Sequence, residues 1–247
     1  MPGPYGFDLN DCCQQCTLRR DQFFCQFECS EMTEAFNSIQ RTSAYPRRAL
    51  LFLEGQASRG VFVICQGEVQ VSKTSIDGKT LILRIAKAGE VLGLSSVVLG
   101  QPYDVQAETL SPCQLALIAR EDFLRFIATS PQAYLHVAKQ LSRQCQEVCE
   151  RMRDVALLDS TSGKIAKLLL DWTNSNEPTS TGVAVRLPLT HEQIAEFIGS
   201  SRETVTRALG NLRDRKIAHL RGSILTVRSR TALEELANNR GVRISTA

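Results

Sequence analysis

The stretch THEQIAEFIGSSRETVTRALGNL, residues 190–212, predicts a helix-turn-helix unit, in which a tight turn joins two helices. Thr190 is typical of a helix N-terminus, because its hydroxyl can accept a hydrogen bond from a free backbone N–H. Gly199 is suited to end the first helix, since glycine adopts the left-handed conformation without strain. Ser200 or Ser201 then caps the second helix. The inward positions of that helix are apolar: Val205, Leu209 and Leu212.

The solvent face of the second helix carries side chains suited to reading DNA. In such a unit, the first residues of the second helix enter the major groove. Arginine can donate two hydrogen bonds to guanine, and glutamate can accept one from cytosine. We therefore predict base readout by Arg202, Glu203, Thr206 and Arg207. Phosphate contacts, which position a protein on DNA without specifying sequence, are predicted for Thr190, Ser200, Ser201, Thr204 and Arg213.

The region around this unit is basic and ends in a second motif. Residues 160–247 carry 13 Lys and Arg against 8 Asp and Glu, whereas residues 1–159 carry 16 against 18. A basic C-terminal third indicates a polyanionic partner. The segment HLRGSILTV, residues 219–227, predicts a β-hairpin wing that turns at Gly222.

An all-β region precedes the helices. Residues 47–128 contain short apolar runs such as GVFVICQGEVQVSKT (60–74) and KTLILRIAKAGEVLGLSSVVLG (79–100), which glycines separate. Asp77 and Gly78 form a hairpin signal. Strands at this spacing predict a sandwich, barrel or roll. The expected fold class is α+β, with an antiparallel, jelly-roll-like β roll, a long helix and a winged helix-turn-helix.

The segment from Pro131 to Leu158 predicts one long helix, because it has no internal glycine or proline. Its apolar residues recur at alternating spacings of four and three, which is typical of a parallel two-helix seam. The small Ala138 and the polarizable Cys145 make this seam imperfect, so we expect a marginal dimer. The predicted seam residues are Tyr134, Ala138, Leu141, Cys145, Val148, Met152 and Val155.

These patterns predict four parts. They are a Cys-rich sensor segment at 1–30, a β-roll domain at 31–130, a dimerisation helix at 131–159 and a winged helix-turn-helix domain at 160–247. The N-terminus lacks the basic and apolar regions of a secretory signal, and no run is long enough to span a membrane. We therefore expect a cytoplasmic protein without a membrane partner. No arrangement of nucleophile and base is recognisable, so an enzyme is not expected.

The β roll, the long helix and the motif GSSRETVTRAL (199–209) together resemble the CRP/FNR family of bacterial transcription regulators. The resemblance implies that Arg202, Glu203 and Arg207 read an operator half-site. It also implies a homodimer on an inverted repeat of double-stranded DNA, with RNA polymerase as a further partner. Arg202 and the hydroxyl of Thr206 are features of different branches of the family, so a TGTGA-like or mixed half-site is expected.

The same resemblance predicts that cAMP is not the effector. Members that bind cAMP hold its ribose with a glutamate, its phosphate with an Arg-Ser pair and its base with a Thr-Ser pair. The corresponding positions here are Leu94, then Tyr103 and Asp104, then Val148 and Cys149. Leucine cannot accept a hydrogen bond, and aspartate repels a phosphate. A different small-molecule effector in the roll stays open.

Five of the nine cysteines lie in CCQQCTLRRDQFFCQFEC, residues 12–29. The resemblance to the oxygen-sensing branch implies iron–sulfur redox sensing by a [4Fe-4S] cluster. The implied ligands are Cys13, Cys16, Cys25 and Cys113, with Cys29 or Cys12 as the alternative. Two other interpretations stay open. A zinc ion or a thiol switch can use Cys13, Cys16, Cys25 and Cys29, or the thiols stay free while Phe23, Phe24 and Phe27 pack on the roll. The remaining Cys65, Cys145 and Cys149 are predicted to be small core residues.

Overall fold

The computed structural model describes residues 5, 27, 30–158, 160–174 and 183–238, without the side chains of 151, 154–157 and 183. The described chain forms two compact units. Among the described residues, the first unit contains those up to 73 and those at 83–148, and the second contains those at 74–82 and those after 148. Within the described residues, no helix is long and apolar enough to cross a membrane.

Short strands and flanking helices build the first unit. Its helices are α1 (Ser30–Ile39), α2 (Leu94–Leu99), α3 (Arg120–Thr129) and the greater part of α4 (Pro131–Leu157). Its complete strands are β1 (Gln40–Tyr45), β2 (Leu50–Phe52), β3 (Gly60–Gln66), β6 (Val91–Leu92), β7 (Gln106–Thr109) and β8 (Cys113–Ala119). It also contains most of β4 (Glu68–Thr74) and of β5 (Thr80–Lys87).

These strands form two four-stranded sheets, ordered β1-β8-β3-β6 and β2-β7-β4-β5. The pairs β1·β8, β3·β8 and β4·β7 are antiparallel. Strand β3 is buried along most of its length, as its continuous apolar sequence indicates. The predicted antiparallel roll is therefore confirmed.

One part of the predicted β region is helical. The run Leu94–Leu99 was expected to be extended, but it forms α2. Glycines in the left-handed conformation stand at both of its ends, Gly93 with φ 73° and Gly100 with φ 70°. The prediction was wrong because apolar β-branched residues in a short run fit a buried helix as well as a strand. Helix α1 and strand β1 lie before the region in which elements were predicted.

The second unit contains the winged helix-turn-helix. Its elements are α5 (Thr161–Asn174), β9 (Val183–Arg186), α6 (His191–Ile198), α7 (Arg202–Asp214), β10 (Ala218–Arg221), β11 (Ile224–Val227) and α8 (Arg230–Asn238). The strands form one antiparallel sheet ordered β10-β11-β9. Helix α5 packs on α8 and α7, and it buries Ile165, Leu169 and Trp172. This core holds the two helices of the motif against the wing.

Candidate nucleic-acid interface and roll cavity

Helix α6 begins as its sequence predicts. The backbone N–H of Gln193 donates to Thr190 Oγ1 at 3.2 Å, and the backbone N–H of Thr190 donates to Gln193 Oε1 at 3.0 Å. This reciprocal capping box pairs donors that the first turn would otherwise leave free. Gly199 ends the helix with φ 65°. Helix α6 is therefore fixed at both ends by local contacts.

Ser201 rather than Ser200 caps α7. The N–H of Thr204 donates to Ser201 Oγ at 3.3 Å, and the hydroxyls of the two residues lie 2.9 Å apart. The N–H of Ser200 instead donates to the Ala195 carbonyl at 3.0 Å, within the turn. The sequence left both serines open, and the cap geometry distinguishes them.

The four residues predicted to read bases are all exposed on α7. They are Arg202, Glu203, Thr206 and Arg207. The opposite side of the helix is buried at Val205, Leu209 and Leu212. The structure thus brings the predicted readout residues together on one solvent-facing side, as base contact in a groove requires. Their role in base readout stays a prediction.

The Glu203 side chain is set up as a hydrogen-bond acceptor. Hydrogen bonds from its own backbone N–H and from the Ser201 hydroxyl lower the pKa of this carboxyl, and the neighbouring Arg202 charge adds to the effect. Its place in the first turn of α7 also favours negative charge. Glu203 is therefore ionised at neutral pH, the state in which it can accept a hydrogen bond from the N4 amino group of cytosine.

The side chains predicted to contact phosphates differ in the partners that they already have in the protein. The hydroxyls of Thr190, Ser201 and Thr204 take part in caps: Thr190 Oγ1 donates to Gln193 Oε1 at 3.3 Å, and the Ser201 and Thr204 hydroxyls lie 2.9 Å apart. Because a hydroxyl has one donor, each of them must give up a present hydrogen bond before it donates to a phosphate. Ser200 is half-buried in the turn. Arg213 pairs with Asp214 at 2.9 Å, and both side chains are exposed. An exposed pair of this kind is weak, so Arg213 can exchange it for a phosphate.

The wing matches its sequence pattern and adds one residue. Strands β10 and β11 pair from Ala218↔Val227 to Arg221↔Ile224, and Gly222 turns between them with φ 60°. Arg221 is exposed beside this turn. Sequence reasoning did not select Arg221, although a basic residue next to a predicted hairpin turn is the signal that indicates it.

The imidazole of His191 contacts α7. Its Nδ1 lies 2.9 Å from Thr206 Oγ1, within hydrogen-bond distance. His191 is the first residue of α6 and Thr206 lies in the second turn of α7, so this contact links the two helices of the motif. Sequence reasoning gave His191 no role, because the contact joins residues fifteen positions apart.

A cavity of about 320 Å³ lies in the first unit, a size that suits a small ligand. Leu94, Asp104 and Val148, three positions at which the resemblance implied polar ligand contacts, line it. Leu94 is 1% exposed and Val148 is apolar. Asp104 accepts a hydrogen bond from Ser96 Oγ at 3.2 Å. The cavity therefore offers apolar surface at Leu94 and Val148 and a carboxylate at Asp104, at positions where a cyclic nucleotide is expected to need hydrogen-bonding side chains and a cation.

The two cations that line this cavity among the described residues have carboxylate partners. Arg84 pairs with Glu90 and lies 3.8 Å from Glu147. Lys73 pairs with Glu54 at 3.4 Å. A phosphate entering the cavity would have to compete with these carboxylates.

Tyr103 is a core residue rather than a lining residue. Its hydroxyl donates to the Gly60 carbonyl at 2.6 Å, and its ring stacks on Phe52 with centroids 4.0 Å apart. Burial raises the pKa of Tyr103, so the hydroxyl stays neutral. The side chain at the position of the phosphate-binding arginine thus supports the roll from inside.

Cys113, which the resemblance implies as a cluster ligand, is buried in the roll. Its side chain is 0% exposed, and Sγ lies 3.3 Å from the Glu68 carbonyl and 3.2 Å from the Ser111 carbonyl. Burial raises the pKa of this thiol from 9.0 to about 11, whereas cluster ligands are thiolates. A methyl group at Gly67 would lie 2.5 Å from Sγ, so the packing around the sulfur is tight.

The other predicted ligands, Cys12, Cys13, Cys16, Cys25 and Cys29, lie outside the described residues, as do Phe23 and Phe24. Phe27 is described and is 5% exposed. Its ring packs on Phe36 and Phe126 and stacks on His136, with centroids 5.3 to 5.5 Å apart. Phe27 thus belongs to the core of the first unit, where its ring contacts residues of α1, α3 and α4. Within the described part of the chain, no group of three or more His, Cys, Asp and Glu residues could hold a metal ion.

Helix α4 has two distinct sides. Ala133 and Val137 are buried in the core of the first unit. Most of the predicted seam is exposed, including Tyr134 (53%) and Met152 (66%), while Leu141 is half-buried and packs on that core. Cys145 and Cys149 are exposed, so the prediction that both are core residues was wrong for the single chain, whereas Cys65 is half-buried. The side chain of Val155 is outside the described residues.

A β roll followed by a winged helix-turn-helix with a capped and exposed second helix defines a class of DNA-binding regulators. Comparison with known families agrees with this class. The cyclic nucleotide-binding domain matches residues 42–130, and the Crp-like helix-turn-helix domain matches residues 163–236. The chain belongs to the CRP/FNR family of DNA-binding transcription regulators. Its relatives are transcription regulators and not enzymes.

Individual relatives span most of the chain. The cAMP-activated global transcriptional regulator CRP of Pasteurella multocida is 29% identical over 195 residues, 78% of this chain and 93% of that protein. The fold resembles the c-di-GMP responsive global regulator CLP of Xanthomonas campestris, with a TM-score of 0.72, 23% identity and coverage of 81% and 99%. It also resembles a CRP/FNR family regulator from Thermus thermophilus, with a TM-score of 0.68, 21% identity and coverage of 81% and 100%.

Proposed function

We propose that this chain binds an inverted-repeat operator as a homodimer and regulates transcription there, in contact with RNA polymerase. Arg202, Glu203 and Arg207 read base edges in each half-site. The observation that carries the proposal is the exposed side of α7, where an ionised carboxylate and two arginines stand opposite a fully buried apolar face. Such a surface supplies both donors and acceptors to the major groove.

The exposed stripe of α4 supports the homodimer. Tyr134, Val148 and Met152 lie on the part of this helix that its own core leaves uncovered. Two parallel copies of a stripe with alternating spacings of three and four can cover each other. A twofold dimer presents two α7 helices to half-sites about one helical turn apart.

Selection from a pool of random duplex DNA tests this proposal. We expect the full-length protein to enrich an inverted repeat with TGTGA-like half-sites, and to bind it at least about 10³-fold more tightly than random duplex at the same salt concentration. The matched competitor is the same duplex with one half-site scrambled. Enrichment without an inverted repeat would contradict the dimeric mode, and no enrichment would contradict sequence-specific binding.

A second candidate function concerns the signal. We propose that the roll cavity takes a small effector with an apolar body, and that this effector is not a cyclic nucleotide. The supporting observation is the lining, in which Leu94 and Val148 are apolar, Asp104 is an exposed carboxylate, and the cations Lys73 and Arg84 are paired with carboxylates. A neutral or cationic polar group near Asp104 is matched by that charge, whereas a phosphate is repelled.

We also propose that the N-terminal cysteines control the activity of the regulator. The environment of Cys113 reduces the number of cysteines that we expect to hold a metal or redox centre. A buried, protonated thiol is a poor partner for a cluster, so we expect any metal or redox centre to use cysteines of residues 12–29. Iron, zinc and acid-labile sulfide measured after anaerobic purification distinguish a cluster from zinc and from free thiols. We expect Cys113→Ser to leave that metal content unchanged and Cys16→Ser to lower it. A parallel loss of iron in Cys113→Ser would restore Cys113 to the ligand set.

A further inference from the structure

The side chain of Thr206 is already engaged before any DNA is bound. Its hydroxyl lies 2.9 Å from Nδ1 of His191, while the residue is exposed on the same side of α7 as Arg202 and Arg207. A threonine on a helix can meet DNA through its hydroxyl or through its methyl group. The contact with His191 decides which of the two is available.

The imidazole is held in place by the start of α6. The capping box between Thr190 and Gln193 fixes the backbone of the first turn, in which His191 is the first residue. His191 is half-buried between the two helices, whereas Thr206 is exposed. Because both helices are capped and share a buried core, the two side chains meet at a defined distance.

We propose that His191 is a positioning residue for base readout: it holds the Thr206 hydroxyl toward α6, so that Thr206 contacts DNA with its methyl group. The matching feature on DNA is the C5-methyl group of thymine, which forms apolar contacts in the major groove. His191 thereby gives one half-site position a preference for thymine that Arg202, Glu203 and Arg207 do not supply. This inference rests on the proposed function of α7.

The methyl contact can be removed from either side of the interface. Replacing thymine with deoxyuridine removes the methyl group from DNA and leaves every hydrogen-bonding group in place. Thr206→Ser removes the methyl group from the protein and keeps the hydroxyl that bonds His191. Loss of one buried methyl contact corresponds to about fourfold weaker binding per half-site.

The experiment measures binding of full-length protein to a duplex with two inverted TGTGA half-sites, in which each thymine of one half-site is replaced in turn by deoxyuridine. We expect one replacement to weaken wild-type binding about fourfold, and the same replacement to have no effect on Thr206→Ser. In His191→Ala the hydroxyl is released, and we expect the deoxyuridine effect to shrink.

Thr206→Val separates positioning from other roles of His191. Valine keeps a methyl group but has no hydroxyl for His191 to hold. In Thr206→Val, we therefore expect His191→Ala to leave unchanged the loss of affinity caused by deoxyuridine. The effects of the two substitutions would then be non-additive. Thr204→Val is the matched control on the same helix, because its hydroxyl faces Ser201. We expect Thr204→Val to change affinity equally for all duplexes.

Two results would overturn the inference while leaving the proposed function intact. One is a wild-type protein that prefers the operator but binds every deoxyuridine duplex as tightly as the thymine duplex. The other concerns the ratio of the affinity for the thymine duplex to that for the deoxyuridine duplex. If His191→Ala changes this ratio equally when residue 206 is threonine and when it is valine, His191 does not act through the Thr206 hydroxyl. A wild-type protein with no preference for the inverted repeat over its scrambled form would contradict the proposed function itself, and this inference with it.

Discussion

The exposed side of α7 and the interior of the roll place their functional positions in opposite environments. On α7, Arg202, Glu203 and Arg207 are charged and open to solvent. In the roll, Leu94 and Tyr103 are buried and uncharged at positions where a cyclic nucleotide needs polar partners. The α7 surface thus carries the charged residues expected for base readout, whereas the roll cavity has apolar and acidic residues at positions where a cyclic nucleotide is expected to need polar and cationic ones.

The largest expected effect is on dimerisation through the stripe of α4, which, like the predicted readout side of α7, is exposed to solvent in the single chain. Met152→Glu places one carboxylate from each copy at the predicted seam. A buried, unpaired charge costs about 3–5 kcal/mol, so the dimer dissociation constant should rise by at least about 100-fold. Sedimentation equilibrium measures this constant.

Gln146→Glu is the control for this prediction, because it adds the same charge to an exposed position of α4 outside the stripe. It should leave the dimer unchanged. Equal dimer dissociation constants for Met152→Glu and wild type would show that the predicted seam of α4 is not the dimer interface.

The next effect tests the buried side through Cys113. Folding raises the pKa of this thiol from 9.0 to about 11. The protonated thiol is therefore favoured in the folded state. Its stabilising contribution is complete below pH 9 and is lost as the pH rises through 11. The free energy of unfolding should fall by about 2–3 kcal/mol over this window, which urea unfolding at a series of pH values measures.

Cys113→Ser is the matched variant, since a hydroxyl does not titrate in this range. Its unfolding free energy should decline less between pH 9 and 11 than that of the wild type, and Tyr45 and Tyr103 contribute the remaining slope in both proteins because burial raises the pKa of each. Identical slopes for the two proteins would show that the Cys113 thiol is not held protonated, and the cluster assignment would regain support.

The smallest effect concerns the roll cavity. Leu94 cannot form a hydrogen bond with the ribose of cAMP, and the carboxylate of Asp104 repels its phosphate. We therefore expect about 1 mM cAMP to stabilise the protein by less than about 0.4 kcal/mol. Thermal unfolding with and without cAMP checks this, and AMP is the control ligand. A shift of several degrees with cAMP alone would break the contrast, because the roll would then resemble its cAMP-activated relatives in chemistry as well as in fold.

Local signals made the DNA-binding unit predictable. Thr190 caps α6, Gly199 ends it and Gly222 forms the turn of the wing. Each role depends on contacts or backbone angles within a few residues, so a short stretch of sequence is enough to predict it. The roll was predictable only as a class. Whether Leu94–Leu99 is a strand or a helix depends on the surrounding core, and the inward position of Tyr103 depends on its bond to Gly60, 43 residues away. The contact between His191 and Thr206 is likewise tertiary, so no local pattern contains it.

Whether α7 reads bases is decided by the binding of Arg202→Ala to operators that differ at single base pairs. Binding to the inverted-repeat duplex is measured with each of the four bases at every half-site position, beside Arg125→Ala as a control on α3, where the side chain is 73% exposed. We predict that Arg202→Ala loses about 1–3 kcal/mol of discrimination at one base pair and keeps its preferences elsewhere. An unchanged base preference at every position would show that Arg202 on α7 reads no base.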